Sequence, residues 1–121
     1  MDEIKLVFRP PDLPPTLNGK KGLLRIHWSK RERIKKKFMW LIKMQKTPKI
    51  SSKVNLVLFN YAVHLMDWDN LAGRLKIVGD AMVGLGLLED DSPEFIVDFD
   101  MKQEKVHKMK DVRIEFIFTK V

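Results

Sequence analysis

MDWDNLAGRLKIVGDAMVGLGLLEDDS, residues 66 to 92, places two separated acidic clusters around one helical pattern. Leu71, Leu75, Val78 and Met82 recur at i, i+4, i+7 and i+11, which makes one apolar stripe for a core. Lys76 and Asp80 fall on the opposite side, and extrapolating backward puts Gly73 and Asp69 on that same polar face. Asp69 or Asn70 is the expected N-cap, because either side chain can accept a bond from an orphan helical N–H. Gly84 and Gly86 close the helix, and Leu87-Leu88 leads into the second cluster, Glu89-Asp90-Asp91.

Upstream, the run from Val54 to Leu65 is apolar and β-branched enough for a buried strand. If strand geometry continues through residue 69, alternation turns Asp67 and Asp69 to one side and Trp68 to the other. The two carboxylates then converge on one cation, and the downstream cluster supplies a third. Hard divalent cations such as Mg²⁺, with Mn²⁺ as an alternative, take oxygen ligands, keep several waters and bind phosphate oxygens. A cation so held polarises a phosphodiester and lowers the pKa of a bound water, and Lys76 is placed to offset charge developing on the phosphate. The pattern predicts a metal-dependent nuclease site.

Charge supports an anionic partner. The chain has 121 residues, a net charge of +7 and no cysteine, so one domain without disulfides or a thiolate zinc site is expected. The charges are segregated: residues 20 to 49 hold twelve Lys or Arg against one acid, Glu32, while residues 67 to 100 hold nine acids against Arg74 and Lys76. A cationic surface beside an acidic centre is what a metal nuclease needs. No apolar run reaches the roughly 18 residues of a membrane span. Met-Asp-Glu-Ile-Lys at the start has neither a basic nor an apolar signal region, so a cytoplasmic location is expected.

Ile4 to Phe8 reads as a first strand stopped by Pro10-Pro11, and Pro10 to Gly22 as a Pro- and Gly-rich loop. That loop is either an ordinary surface connection or an arm that contacts phosphates through Lys20 and Lys21. Leu23 to Trp28 is a short strand or more loop. Ser29-Lys30-Arg31-Glu32 matches a capping box, opening a helix whose core face is Ile34, Phe38, Leu41 and Ile42. Lys30, Arg31 and Arg33 at its start oppose the macrodipole, so helix stability does not explain them, whereas phosphate contact does. Lys53 to Val63 is apolar on both faces and predicts a central strand. Phe95, Val97, Phe99 and Met101 alternate with polar neighbours, as do Val112, Ile114, Phe116 and Phe118, which predicts an antiparallel pair. Lys102, Lys105, Lys108 and Lys110 make a second basic patch between them.

Other aromatic and ligand-type residues are weaker signals. His27, His64 and His107 share no ligand spacing and are assigned no role. Trp28 and Trp40 are expected to pack; Trp68 is expected to pack beneath the acidic pair, the alternative being to stack on an exposed base. Asp-x-Asp alone is unspecific. An EF-hand loop is excluded because Leu71 and Ala72 occupy its fifth and sixth positions. An Asp-x-Asp glycosyltransferase would need more room than 121 residues give for donor and acceptor.

Taken together, Asp67-Trp68-Asp69-Asn70, Lys76, Asp80-Ala81, Gly86 and Asp90-Asp91 resemble the RusA-like Holliday-junction resolvases, and the order of elements is similar across nearly the whole chain. The resemblance implies an α/β (α+β) single domain with a mixed β-sheet and two main helices. It also implies a homodimeric, Mg²⁺-dependent endonuclease that nicks four-way DNA junctions in pairs. By position, Asp67, Asp69 and Asp91 would be catalytic metal ligands, Asp90 a supporting one and Lys76 the catalytic lysine. Some members carry their lysine four residues after the second aspartate, where this chain has Gly73; Lys76 is on the same helical face, and Arg74 is the weaker substitute. Pro14-Pro15-x-x-Asn18 matches the family's start. The expected DNA contacts are therefore Asn18, Lys20, Lys21 and Arg25 on the arm, Lys30, Arg31, Arg33, Lys35 and Lys36 on the basic helix, and Arg74. The alternative is a DNA-junction-binding protein of prophage origin without catalysis.

Overall fold

The apolar run after Lys53 becomes β2 (Val54–Ala62), and the rest of the domain is assembled on it. In the computed structural model, which describes residues 3–16 and 26–121, four strands form one mixed sheet. β1 is Glu3–Phe8, β3 Ile96–Lys105 and β4 Arg113–Lys120, in the spatial order β1-β4-β2-β3. β4 is antiparallel to both β1 and β2, whereas β2 and β3 are parallel. Two helices, α1 (Trp28–Met44) and α2 (Trp68–Gly84), complete a single α+β domain. No helix among the described residues is long and apolar enough to cross a membrane.

The expected β3–β4 hairpin does not form. α2 lies between β2 and β3 in sequence, and a strand-helix-strand unit returns its second strand parallel to the first, so β3 pairs β2 and β4 enters on β2's other side. The predicted phase of β3 holds for Phe99 and Met101 and is corrected before them. Val54 pairs Ile96 and Asn55 pairs Asp98, leaving Val97 in a bulge, 43% exposed. One extra residue reverses the alternation, so Ile96 turns inward before the bulge and Phe99 and Met101 after it.

One face of the sheet makes the core. Ile4, Leu6 and Phe8 of β1, Val54, Leu56 and Leu58 of β2 and Ile114, Phe116 and Phe118 of β4 meet Phe38 and Ile42 of α1 and Leu71, Val78 and Met82 of α2. Each fully buried side chain of this kind contributes roughly 1.5–3 kcal/mol relative to exposure. The other face is only half covered, as an antiparallel-rich sheet allows. There Phe59 stacks on Tyr61, and the Arg113 guanidinium lies 3.7 Å over the Tyr61 ring. Glu115, 5% exposed, is held on this face by Arg113 at 2.7 Å and Lys5 at 3.2 Å.

The helix ends decide where side chains point. His27, not Ser29, caps α1: its Nδ1 accepts from the Ser29 backbone N–H at 3.2 Å, so Ser29 is already inside the first turn and the capping box is not used. Gln45, at the other end, bonds both the N–H and the carbonyl of Val7 and ties α1 to edge strand β1. α2 closes on Gly86, whose φ of 72° suits a residue without Cβ. The Gly86 N–H donates to Val83 and the Leu87 N–H to Met82, satisfying two otherwise orphaned carbonyls. Of the region expected as strand or loop, residues 23–25 lie outside the described part, and Trp28 is helical. Trp28 and Trp40, expected to pack, are 69% and 60% exposed on α1.

Candidate functional site

The head of α2 carries the first acidic pair. β2 ends at Ala62, and Asp67 has become the N-cap of α2, with its Oδ1 accepting from the Asn70 backbone N–H at 2.9 Å. Asp67 Oδ2 also accepts from Asn70 Nδ2, at 3.4 Å. Asp69 lies in the first helical turn, where a negative charge favours the macrodipole. The strand-alternation route to a shared cation is therefore corrected: the helix starts earlier than expected, because Asp67 satisfies an orphan N–H before Asp69 or Asn70 can. Both carboxylates remain exposed, and neither has a cation partner among the described residues.

Gln103 fixes the chain just before this pair. Its Nε2 donates to the Met66 carbonyl at 2.8 Å, and its Oε1 accepts from the Met66 N–H and from Asn60 Nδ2. Sequence reasoning missed this residue, although a glutamine in phase with core-facing Phe99 and Met101 was the available signal. Arg74 serves a similar purpose. Its Nη1 donates to the Pro14 carbonyl, so the guanidinium ties the proline-rich loop to α2 instead of standing free for DNA. Burial holds its pKa below the ordinary arginine value, and its Nε and the Asn70 Oδ1 are buried without partners among the described residues.

The tail of α2 carries the second cluster. Asp91 is half-buried against Gly79: a Cβ there would lie 2.9 Å from Asp91 Oδ2. Asp90 Oδ1 accepts from the Asp91 N–H at 2.9 Å and shapes the turn. Lys76 is exposed, with Nζ 3.4 Å from Asp80 Oδ1, an i,i+4 pair worth a few tenths of a kcal/mol, about 0.3. At 1.5 Å per residue, Gly79 and the Asp91 beside it lie about 15 Å along the axis from Asp69. Consistent with that spacing, no three His, Asp or Glu among the described residues stand close enough to hold one metal ion. The expected three-carboxylate pocket of Asp67, Asp69 and Asp91 is thus not assembled within a single copy of the chain.

Cations do reach the acidic helix. Trp28, Arg31, Glu32 and Lys35 of α1 line a groove of about 160 Å³ with Ile77 and Asp80 of α2. Lys30, Arg33 and Lys36 project from α1 into solvent. The basic and acidic surfaces are therefore neighbours. Asn18, Lys20, Lys21 and Arg25 lie outside the described residues.

The domain so defined is an α+β fold with carboxylates exposed at both ends of one helix and a cationic helix alongside. No protein-family model matches the chain, and no curated protein matches it.

Proposed function

We propose that the chain is a metal-dependent endonuclease of branched DNA, four-way junctions in particular, as its resemblance to the RusA-like resolvases implies. One observation carries this: Asp67 and Asp69 stand exposed and unpaired by any cation among the described residues, on a chain of net charge +7 whose α1 presents lysines and arginines beside α2. Two carboxylates suit Mg²⁺ or Mn²⁺, because such ions complete their shells with waters and substrate phosphate oxygens and do not require a cage of protein ligands. Asp67 and Asp69 would hold the ion; Asp91, beside Gly79, offers a second carboxylate position about 15 Å along the helix axis. When bound, the ion supplies a Lewis acid and a water of lowered pKa. Lys76, midway along the exposed side of α2, meets charge that develops on the phosphate. Lys30, Arg31, Arg33, Lys35 and Lys36 hold the duplex arms.

Paired cuts in a two-fold substrate call for two sites, hence a homodimer. The cytoplasm is where such a substrate would be met. Sedimentation at micromolar concentration is expected to show a dimer, and a monomer would count against this part. The deciding experiment mixes purified protein with an end-labelled synthetic four-way junction and Mg²⁺: symmetric nicks are expected. Binding without nicks in Mg²⁺ and Mn²⁺ would instead favour a junction-binding protein without catalysis. That second reading has its own support, since Asp67 and Asp69 already serve the helix as cap and first-turn charge.

A further inference from the structure

Trp68 is the first residue of α2 and is 53% exposed, although it was expected to pack. All three indoles of the chain are more than half exposed, and Trp68 differs from Trp28 and Trp40 in standing between Asp67 and Asp69. Asp67 is bonded to Asn70, and Met66 is bonded twice to Gln103, so the backbone at the corner leading to the ring is held by hydrogen bonds. Leu65, 52% exposed, extends the apolar surface along the same corner.

This corner lies where parallel strands β2 and β3 both end, and the connection to β4 leaves from the same place. The Val106 N–H donates to the Ala62 carbonyl at 2.9 Å; exposed Lys105 ends β3, and the connection after it carries exposed Lys108 and Lys110 on either side of exposed Met109. An aromatic platform at the same end of the sheet as exposed cations is an arrangement that takes single-stranded nucleic acid: bases stack on the ring and phosphates meet the lysines. A protein partner would be poorly served by the adjacent unpaired Asp67 and Asp69, which a cation-bridged phosphate strand tolerates.

We propose that Trp68, extended by Leu65, is a stacking platform for an unpaired DNA base at the branch point, with Lys105, Lys108 and Lys110 holding that strand's phosphates. This rests on the DNA reading above and adds to it the feature that distinguishes branched from linear DNA. The test uses the full chain carrying W28F and W40F, both at exposed sites, so that Trp68 is the only indole. Binding of oligo-dT, a four-way junction and a plain duplex is measured in Ca²⁺, an oxygen-seeking cation able to bridge the aspartates to a phosphate strand, and again in EDTA. Trp68 emission should be quenched by oligo-dT and by the junction. Trp68→Ala should weaken both by about tenfold while leaving the duplex unchanged, and Trp68→Phe should recover most of the loss. Replacing Lys105, Lys108 and Lys110 with Gln should reduce the salt slope for oligo-dT by about 2, at roughly 0.7 per phosphate contact. If the junction binds but Trp68 emission and the Trp68→Ala affinities do not change, the platform is wrong and the nuclease reading survives. If no DNA binds the parent chain, with or without Mg²⁺, both fall.

Discussion

Glu115 and the aspartates of α2 are the same chemistry in opposite settings. Glu115 is buried on the open sheet face and neutralised by Arg113 and Lys5, so its charge serves the fold. Asp67, Asp69 and Asp90 are exposed and have no cation partner among the described residues, in a chain with 23 Lys and Arg to draw on. A buried carboxylate must be paired or it destabilises; an exposed one is free to bind something else. The contrast separates structural charge from charge available for a ligand, and it can be tested residue by residue.

The largest stability effect should come from Glu115. Glu115→Ala leaves Arg113 and Lys5 without their shared partner and should cost about 2–3 kcal/mol in chemical denaturation, the range for a lost charged hydrogen-bond partner. The pH dependence has a definite sign. Burial pushes the Glu115 carboxyl up, but Arg113 and Lys5 together pull it down further, and it ends below its ordinary value. Its contribution is therefore complete above the unfolded carboxylate range and is lost as pH falls through the lowered value. Denaturation midpoints measured from neutral pH into acid should fall more steeply for the parent than for Glu115→Gln; parallel curves would remove Glu115 from the comparison.

Gly79 should come next. Gly79→Ala puts a Cβ within 2.9 Å of Asp91 Oδ2 and 3.3 Å of its Cβ, a crowding that costs about 1–2 kcal/mol and outweighs the gain in helix propensity. In an Asp91→Ala background the 2.9 Å contact is gone and only the 3.3 Å contact with the residue-91 Cβ remains, so the same substitution should be more favourable there by about 1 kcal/mol. Equal effects in the two backgrounds would mean that Asp91 does not sit on Gly79. Smaller still, Asp67→Ala should cost about 1 kcal/mol through loss of the cap, while Asp67→Asn, which caps equally well, should cost almost nothing. Thermal melts of the two variants that coincide would deny Asp67 its capping role.

How far the sequence reveals all this depends on the range of the interactions. α2's core stripe was legible because a 3.6-residue period is local, and Leu71, Val78 and Met82 are all fully buried. Its start was not: Asp67, Asp69 and Asn70 are all competent caps within four residues, and choosing the first changes the direction in which both aspartates point. β2 was legible as a central strand from its two apolar faces. The strand order was missed because pairing is non-local, although the βαβ arrangement of β2, α2 and β3 was a usable clue, and the bulge at Val97 left no mark in the alternation. Candidate site residues were legible by type and not by position: exposed carboxylates and a basic helix are present, but Asp91 lies near Gly79 and not beside Asp69.

Cleavage of a labelled four-way junction by Asp69→Asn, beside the parent chain in Mg²⁺, tests the central claim most directly. Asp69 makes no ion pair among the described residues, and its loss should change stability by less than about 1 kcal/mol. The account predicts that cleavage falls by two orders of magnitude or more, about the effect of removing a group that acts on the reacting charge, while junction affinity is kept. A variant that nicks the junction at the parent rate would contradict it.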